Sequence, residues 1–286
     1  MVARILRSHD CGVRVRQIVD RIGAILALYT FEQPEWGVSE IGVRLGLPKS
    51  SVSELLASLA AQGFVERTPR GRYRLGWRLF ELNHVLLESK PLVREARRAM
   101  QELVERHGES SHLMVLDRHQ AVIVEKVQAT LATQILMSRV GLRLPAHCSA
   151  CGKLLLAWRP WDDVARMFEQ VELVRFTPAT LVDLDALSVE LRMIRQTGVA
   201  FDHEEIVPGL SCVAAPVRDE TGEPVAGISL SVPTYRFVGG EDAYVRLIAN
   251  TAYRISCRLG YAGPPPDAIE LDRAASSQPG AVMARP

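Results

Sequence analysis

The sequence predicts an α+β fold in two domains, the first helical with one small hairpin, the second built on an antiparallel sheet. At 286 residues the chain is long enough for two separate cores. Its first ninety residues carry short amphipathic helices and a single pair of short strands. The remainder mixes strands and helices without the regular β–α–β alternation of a parallel sheet.

Residues 1–15 are read as a flexible arm. From Arg16 to Tyr29, Ile18, Ile22, Ile25, Leu26 and Tyr29 share one helical face, and the run from Gln33 to Gly37 breaks it. Ser39 is expected to cap a second helix that ends at Gly46. Pro48 suits the first turn of a third, whose Val52, Leu55, Leu56 and Leu59 form the buried stripe before Gly63 stops it. Two alternating strands then flank the turn around Pro69-Arg70-Gly71. That order of helices and hairpin is a winged helix-turn-helix, assigned to 16–76. A helix from Trp77 leads out of it as a linker over 77–90, and Pro91 marks the boundary.

Charge adds a function to this front half. Residues 1–90 hold 13 Lys and Arg against 9 Asp and Glu, and the other residues hold 21 against 24. Arg67, Arg70, Arg72, Arg74 and Arg78 crowd the hairpin, opposed there only by Glu66. Arginines on a wing neutralise phosphates, and short polar side chains at a helix front can approach a major groove closely. Lys49, Ser50, Ser51, Ser53, Arg67, Arg70 and Arg72 are therefore the expected DNA contacts. The competing reading is a winged helix used only as a protein-interaction module.

Residues 91–260 form the second domain. A helix over 92–107 precedes strands at 111–116 and 121–126, a third strand at 134–140, helices near 164–170 and 184–196, strands at 211–217 and 224–232, and a last helix over 241–259. Residues 261–286, with Pro264-Pro265-Pro266 and little that is apolar, are read as a disordered tail. Five cysteines, no apolar run of ~18 residues and no continuous apolar start point to a protein of the cytoplasm with no membrane partner.

The stretch from Leu144 to Ala157 holds His147, Cys148, Ser149, Cys151 and Lys153. As half a zinc site it lacks a second ligand pair. As a redox switch it offers Cys148 and Cys151 at a helix start, where a thiol pKa falls. A cysteine-dependent enzyme would need a base beside Cys151 or Cys212 with a third residue to orient it, and no motif supplies one. The favoured reading is a helix capped by Ser149 whose free backbone N–H groups attract an anion. No catalytic residue, metal or cofactor is assigned.

Three stretches together resemble one family. They are Gly63-Phe64-Val65-Glu66-Arg67 with Gly71 to Gly76 and Leu79 to Leu82; Leu144-Pro145-Ala146-His147 with Gly152-Lys153 and Leu155-Leu156-Ala157; and Gly198 to Glu205 with Pro208 to Val217. In this order and spacing they resemble IclR-type bacterial transcriptional regulators from about Arg16 to Leu259. The resemblance implies a winged-helix domain on operator DNA, a linker helix, and a GAF-like C-terminal domain that binds a small organic or aromatic acid and oligomerises. It implies repressors or activators working as homodimers or dimers of dimers. The positions matching the family's effector contacts are Leu136, Ala150, Cys151, Asp202, Leu210, Cys212, Ser229 and Ser231. Asp202 is the awkward member, because a carboxylate beside an anionic ligand must be protonated, bonded to a ligand hydroxyl or turned to backbone donors.

Overall fold

A computed structural model describes residues 9–89, 91–129 and 138–266. The chain forms two units that divide after Ser89.

In the first unit, helix α1 (His9–Ala27) reaches back into the stretch read as an arm. Helix α2 (Val38–Leu45) and helix α3 (Lys49–Ala61) follow a two-residue strand β1 (Glu35–Trp36), and strands β2 (Val65–Arg67) and β3 (Tyr73–Leu75) make the hairpin. The sheet order is β1-β3-β2, so the stretch expected only to break a helix is the third strand of the wing. Gly37, not Ser39, stands at the N-cap of α2, and Glu40 Oε2 accepts its N–H at 3.0 Å. Ile25, Ile41, Val52, Leu56, Leu59, Val65 and Tyr73 close the core. Helix α4 (Arg78–Glu88) completes the unit.

The second unit is a six-stranded antiparallel sheet in the order β6-β5-β4-β9-β8-β7. Its strands are β4 (Ser110–Asp117), β5 (Gln120–Val127), β6 (Arg143–Pro145), β7 (Ala200–His203), β8 (Leu210–Arg218) and β9 (Pro224–Pro233). The strand expected over 134–140 falls partly outside the described residues; 138–142 is not strand, and β6 comes just after it. Strand β7 had no counterpart in the sequence reading. The tail from 267 onward and the arm before His9 also lie outside the described residues.

Side-chain alternation assigns each face of the sheet. Ile228, Leu230 and Val232 of β9 and Val213, Ala215 and Val217 of β8 pack on helices α5 (Pro91–His107) and α10 (Glu241–Arg258). The other face of β8 and β9 carries Cys212, Ala214, Gly227, Ser229 and Ser231 towards helix α6 (Ala150–Ala157), with α7 (Trp161–Phe168) and α8 (Leu184–Thr197) outside it. A four-residue helix α9 (Thr234–Phe237) turns the chain from β9 into α10. Every residue of α6 is buried. Two glycines permit this. A Cβ on Gly152 would stand 2.4 Å from Ala146 Cα, and one on Gly227 would stand 3.1 Å from Cys151 Sγ.

Candidate DNA-binding face and effector cavity

On the first unit, Lys49, Ser50 and Ser53 are exposed at the front of α3 and Ser51 is half-buried. Pro48 at the N-cap makes no side-chain cap, and the first turn holds no acid. The helix N-terminus thus presents unsatisfied N–H groups and Lys49 together, an arrangement that favours an anion outside the protein.

The wing divides its arginines into two kinds. Arg67 and Arg70 are exposed, with no ion pair among the described residues. Arg72, expected on DNA, is turned inward: its guanidinium forks onto both oxygens of Glu40 at 2.7 Å and donates to Glu35 O at 2.9 Å. A bidentate pair of this kind fixes direction, so Arg72 ties the wing to α2 instead of reaching outward. Arg74 likewise pairs across the hairpin with Glu66 at 2.5 Å, and Arg78 with Glu81 at 2.6 Å.

On the second unit a narrow cavity lies between α6 and the sheet. About 440 Å³ of empty space, mouth included, separates its walls. His112 and Met114 of β4, Ile123 of β5 and Leu144 of β6 form one side. Ser149, Ala150 and Cys151 supply the helix start, and Asp202, Leu210, Cys212, Ser229 and Ser231 come from β7 to β9. Ile206 and Val207 close it from the intervening loop. Seven of the eight expected positions meet here, and Leu136 lies outside the described residues. Ile206 and Val207 fall in the gap between the two halves of the third motif. His112 could have been found had the pairing of β4 with β9 been read, since it stands opposite Ser229.

The polar groups of the wall are mostly neutral. His112 Nε2 lies 2.9 Å from Ser138 Oγ and Nδ1 3.4 Å from Ser231 Oγ. Burial, helped by Lys126, pushes its pKa down to about 4, so it is an uncharged imidazole near neutral pH. Cys212 Sγ lies 3.3 Å from Ser231 Oγ. Burial pushes the thiols of Cys148 and Cys151 up to about 12 and holds that of Cys212 well above its ordinary value. This removes the thiolate that the redox reading needed: desolvation outweighs the helix start. Ser149 does occupy the N-cap of α6, but its hydroxyl donates backward to Pro145 O at 3.0 Å and caps nothing. The N–H groups at the start of α6 therefore have no side-chain cap. His147 Nε2 lies 3.3 Å from Val174 O and its ring packs on Phe168, so it holds the loop.

Beneath the cavity, Lys153 is buried and ion-paired with both Glu190 of α8 and Glu205. Burial lowers the Lys153 pKa, and the two carboxylates more than offset it, leaving it above the usual lysine value. Glu205 is pushed up to about 7 by burial against the pull of Lys153. Asp202 Oδ1 accepts the Glu205 N–H at 2.7 Å, and the hydroxyls of Thr177 and Thr180 hold the carbonyls of Glu204 and Glu205 at 2.7 and 2.6 Å. Asp202 thus caps the loop and lines the cavity at once. Burial sets its pKa up at about 6, and the backbone donors and Lys153 hold it from going further. With Lys153 engaged below, no cationic side chain among the described residues lines the cavity.

A winged helix with a basic tip and a separate unit with a narrow cavity under a buried helix are the parts of a ligand-responsive transcriptional regulator. The helix-turn-helix domain model of IclR matches residues 18–69, and the model of the C-terminal region of bacterial IclR transcriptional regulators matches 84–257. The chain belongs to the IclR family. It is 36% identical over 247 residues to the transcriptional regulator XynR of Escherichia coli K12, covering 86% of this chain and 98% of XynR. It is 34% identical over 249 residues to KdgR of the same organism, covering 85% and 94%. An IclR homolog from Microbacterium hydrocarbonoxydans, solved with 4-hydroxybenzoate, superposes with a TM-score of 0.73 at 26% identity, covering 85% of this chain and 98% of that one.

Two outcomes test this geometry. Replacing Lys153 by Met leaves Glu205 and Asp202 buried without a cation, and chemical denaturation of the full chain should report a loss of about 3–5 kcal/mol, part of it recovered when Glu205→Leu is added. On the wing, Arg70→Ala should reduce the slope of log affinity against log salt by about one with the melting temperature unchanged. Arg72→Ala should instead lower the melting temperature of the first unit.

Proposed function

We propose that the chain is a transcriptional regulator whose operator affinity is set by a small organic acid in the cavity under α6, acting in the cytoplasm as a homodimer or dimer of dimers. The observation that carries the reading is the convergence of seven positions that match the family's effector contacts, three of them inside its motifs, on one cavity at an uncapped helix N-terminus. Backbone N–H groups of α6 and the hydroxyls of Ser229 and Ser231 supply donors for a carboxylate. Apolar walls from Met114, Ile123, Leu144 and Leu210 suit a carbon skeleton or ring. The 4-hydroxybenzoate of the Microbacterium homolog is a ligand of this chemistry. Assembly is supported by α4 and the residue before it, where Trp77, Phe80, Val85 and Leu86 leave apolar side chains exposed in one copy. Two wings on two half-sites also provide the phosphate contacts that one domain lacks.

A thermal-shift screen of small carboxylic and hydroxybenzoic acids tests the reading. A ligand at a hundredfold its Kd adds about 2.7 kcal/mol to stability, which Ser229→Ala with Ser231→Ala should abolish while DNA affinity stays at the wild-type value. An unaltered response would move the ligand elsewhere.

Binding of an anion should also depend on pH through Asp202, which faces Lys153, Glu190, the Glu205 and Ile206 N–H groups and the neutral thiol of Cys212. Below about pH 6 it is protonated and uncharged, and above that it repels a carboxylate. Affinity should fall as pH rises through this value, by at most roughly tenfold per pH unit. Calorimetry should find the dependence flattened in Asp202→Asn, whose side-chain oxygen still accepts the Glu205 N–H.

A further inference from the structure

Helix α3 carries only two charged residues, Lys49 and Glu54. Val52, Leu56 and Leu59 are buried in the core. Ser50, Glu54, Ala57 and Ala61, at i, i+4, i+7 and i+11, form the opposite face, and all four are exposed. Glu54 is therefore the one long side chain on a face otherwise made of serine and alanine.

Nothing within the unit accounts for it. The positions three and four residues away are Ser50, Ser51, Ala57 and Ser58, so no helical ion pair is available. It has no hydrogen bond or ion pair among the described residues. It lies beyond the first turn, where an acid would complement the helix dipole. On a surface that approaches phosphates, an unpaired acid weakens binding to every sequence alike. Its presence at the centre of that face is explained if it gains a hydrogen bond inside the groove.

We propose that Glu54 reads a cytosine in the major groove of the operator. A carboxylate only accepts hydrogen bonds. Cytosine's own edge offers there an N4 amino group and no acceptor. Adenine and guanine place N7 next to any donor they have, and thymine offers an acceptor and a methyl group. The small side chains around Glu54 let the helix sit deep enough for a three-bond side chain to reach a base edge. Lys49, at the rim of the helix, is left to the phosphate backbone. The inference rests on α3 being the helix that enters the groove.

Selection of bound duplexes from a random-sequence pool by the full-length protein tests it. The wild type should enrich a C·G pair at a fixed position of each site. Glu54→Ala should lose the preference at that position alone, and Glu54→Gln should shift it to adenine, which glutamine pairs through N6 and N7. Discrimination at that pair should change between about fivefold and a hundredfold. Identical base preferences in wild type and Glu54→Ala would overturn the proposal. Lys49→Ala separates the two ways of failing. If it binds more weakly while Glu54→Ala selects unchanged sites, α3 faces DNA and Glu54 does not read it; if Lys49→Ala also binds as wild type, the assignment of α3 itself is wrong.

Discussion

The second unit is organised around a charge that has no access to water. Lys153 sits in the first turn of a helix buried on all sides, where the helix dipole opposes it and desolvation penalises it. It is tolerated because Glu190 of α8 and Glu205 of the loop after β7 both pair with it, adding to the hydrogen bond from Arg195 to Ala157 O that also joins α8 to α6. The two ion contacts therefore join the apolar packing of α8 and the Asp202, Thr177 and Thr180 hydrogen bonds in holding α8 and the 204–209 loop. The loop in turn brings Ile206 and Val207 over the cavity and turns the Asp202 carboxylate towards its own backbone. The close approach of Gly152 to Ala146 and of Gly227 to Cys151 fixes α6 against the sheet, and the ion pairs add a directional tie to α8 and the loop.

The same arrangement decides the polarity of the cavity. A lysine left free there would hold any anion with little regard to shape. With Lys153 engaged below, the donors that remain among the described residues are hydroxyls, the neutral His112 ring and helix N–H groups, which act over hydrogen-bond distances only and so reward correct placement. The neutral His112 and the un-ionised Cys151 and Cys212 fit this scheme as small polar surfaces. Selectivity among acids then falls to the apolar walls and to whatever a ligand presents to Asp202.

How much of this the sequence carried depended on how local each cause was. That Ser229 and Ser231 share a face follows from the two-residue period of a strand, and Gly152 follows from the motif it belongs to. The two-residue strand β1 was hidden because its partner β3 lies far along the chain, with Trp36 opposite Tyr73. Arg72 looked like its neighbours Arg70 and Arg74 because its partner Glu40 is separated from it by 32 positions. The hydroxyl of Ser149 has the right residue type and the right position for a cap, yet Pro145 O lies within reach and takes it. The thiol pKa values were misjudged for a related reason. The helix start is visible in sequence, but the depth of burial that opposes it is a property of the whole fold.

The wing and the recognition helix use charge in opposite ways. Around the wing, acids neutralise arginines within the protein: Glu40 on Arg72, Glu66 on Arg74 and Glu81 on Arg78. Among the described residues of the wing this leaves Arg67 and Arg70 as unpaired cations, so on the proposed reading the wing's own grip on phosphates is modest. A modest grip has a consequence for specificity. When sequence-independent attraction is small, each contact with a base edge is a larger share of the total, and a side chain that rejects wrong bases is worth its general repulsion of DNA. An acid on a smooth helix face is consistent with such a protein, and would be out of place on one that relied on a broad basic surface.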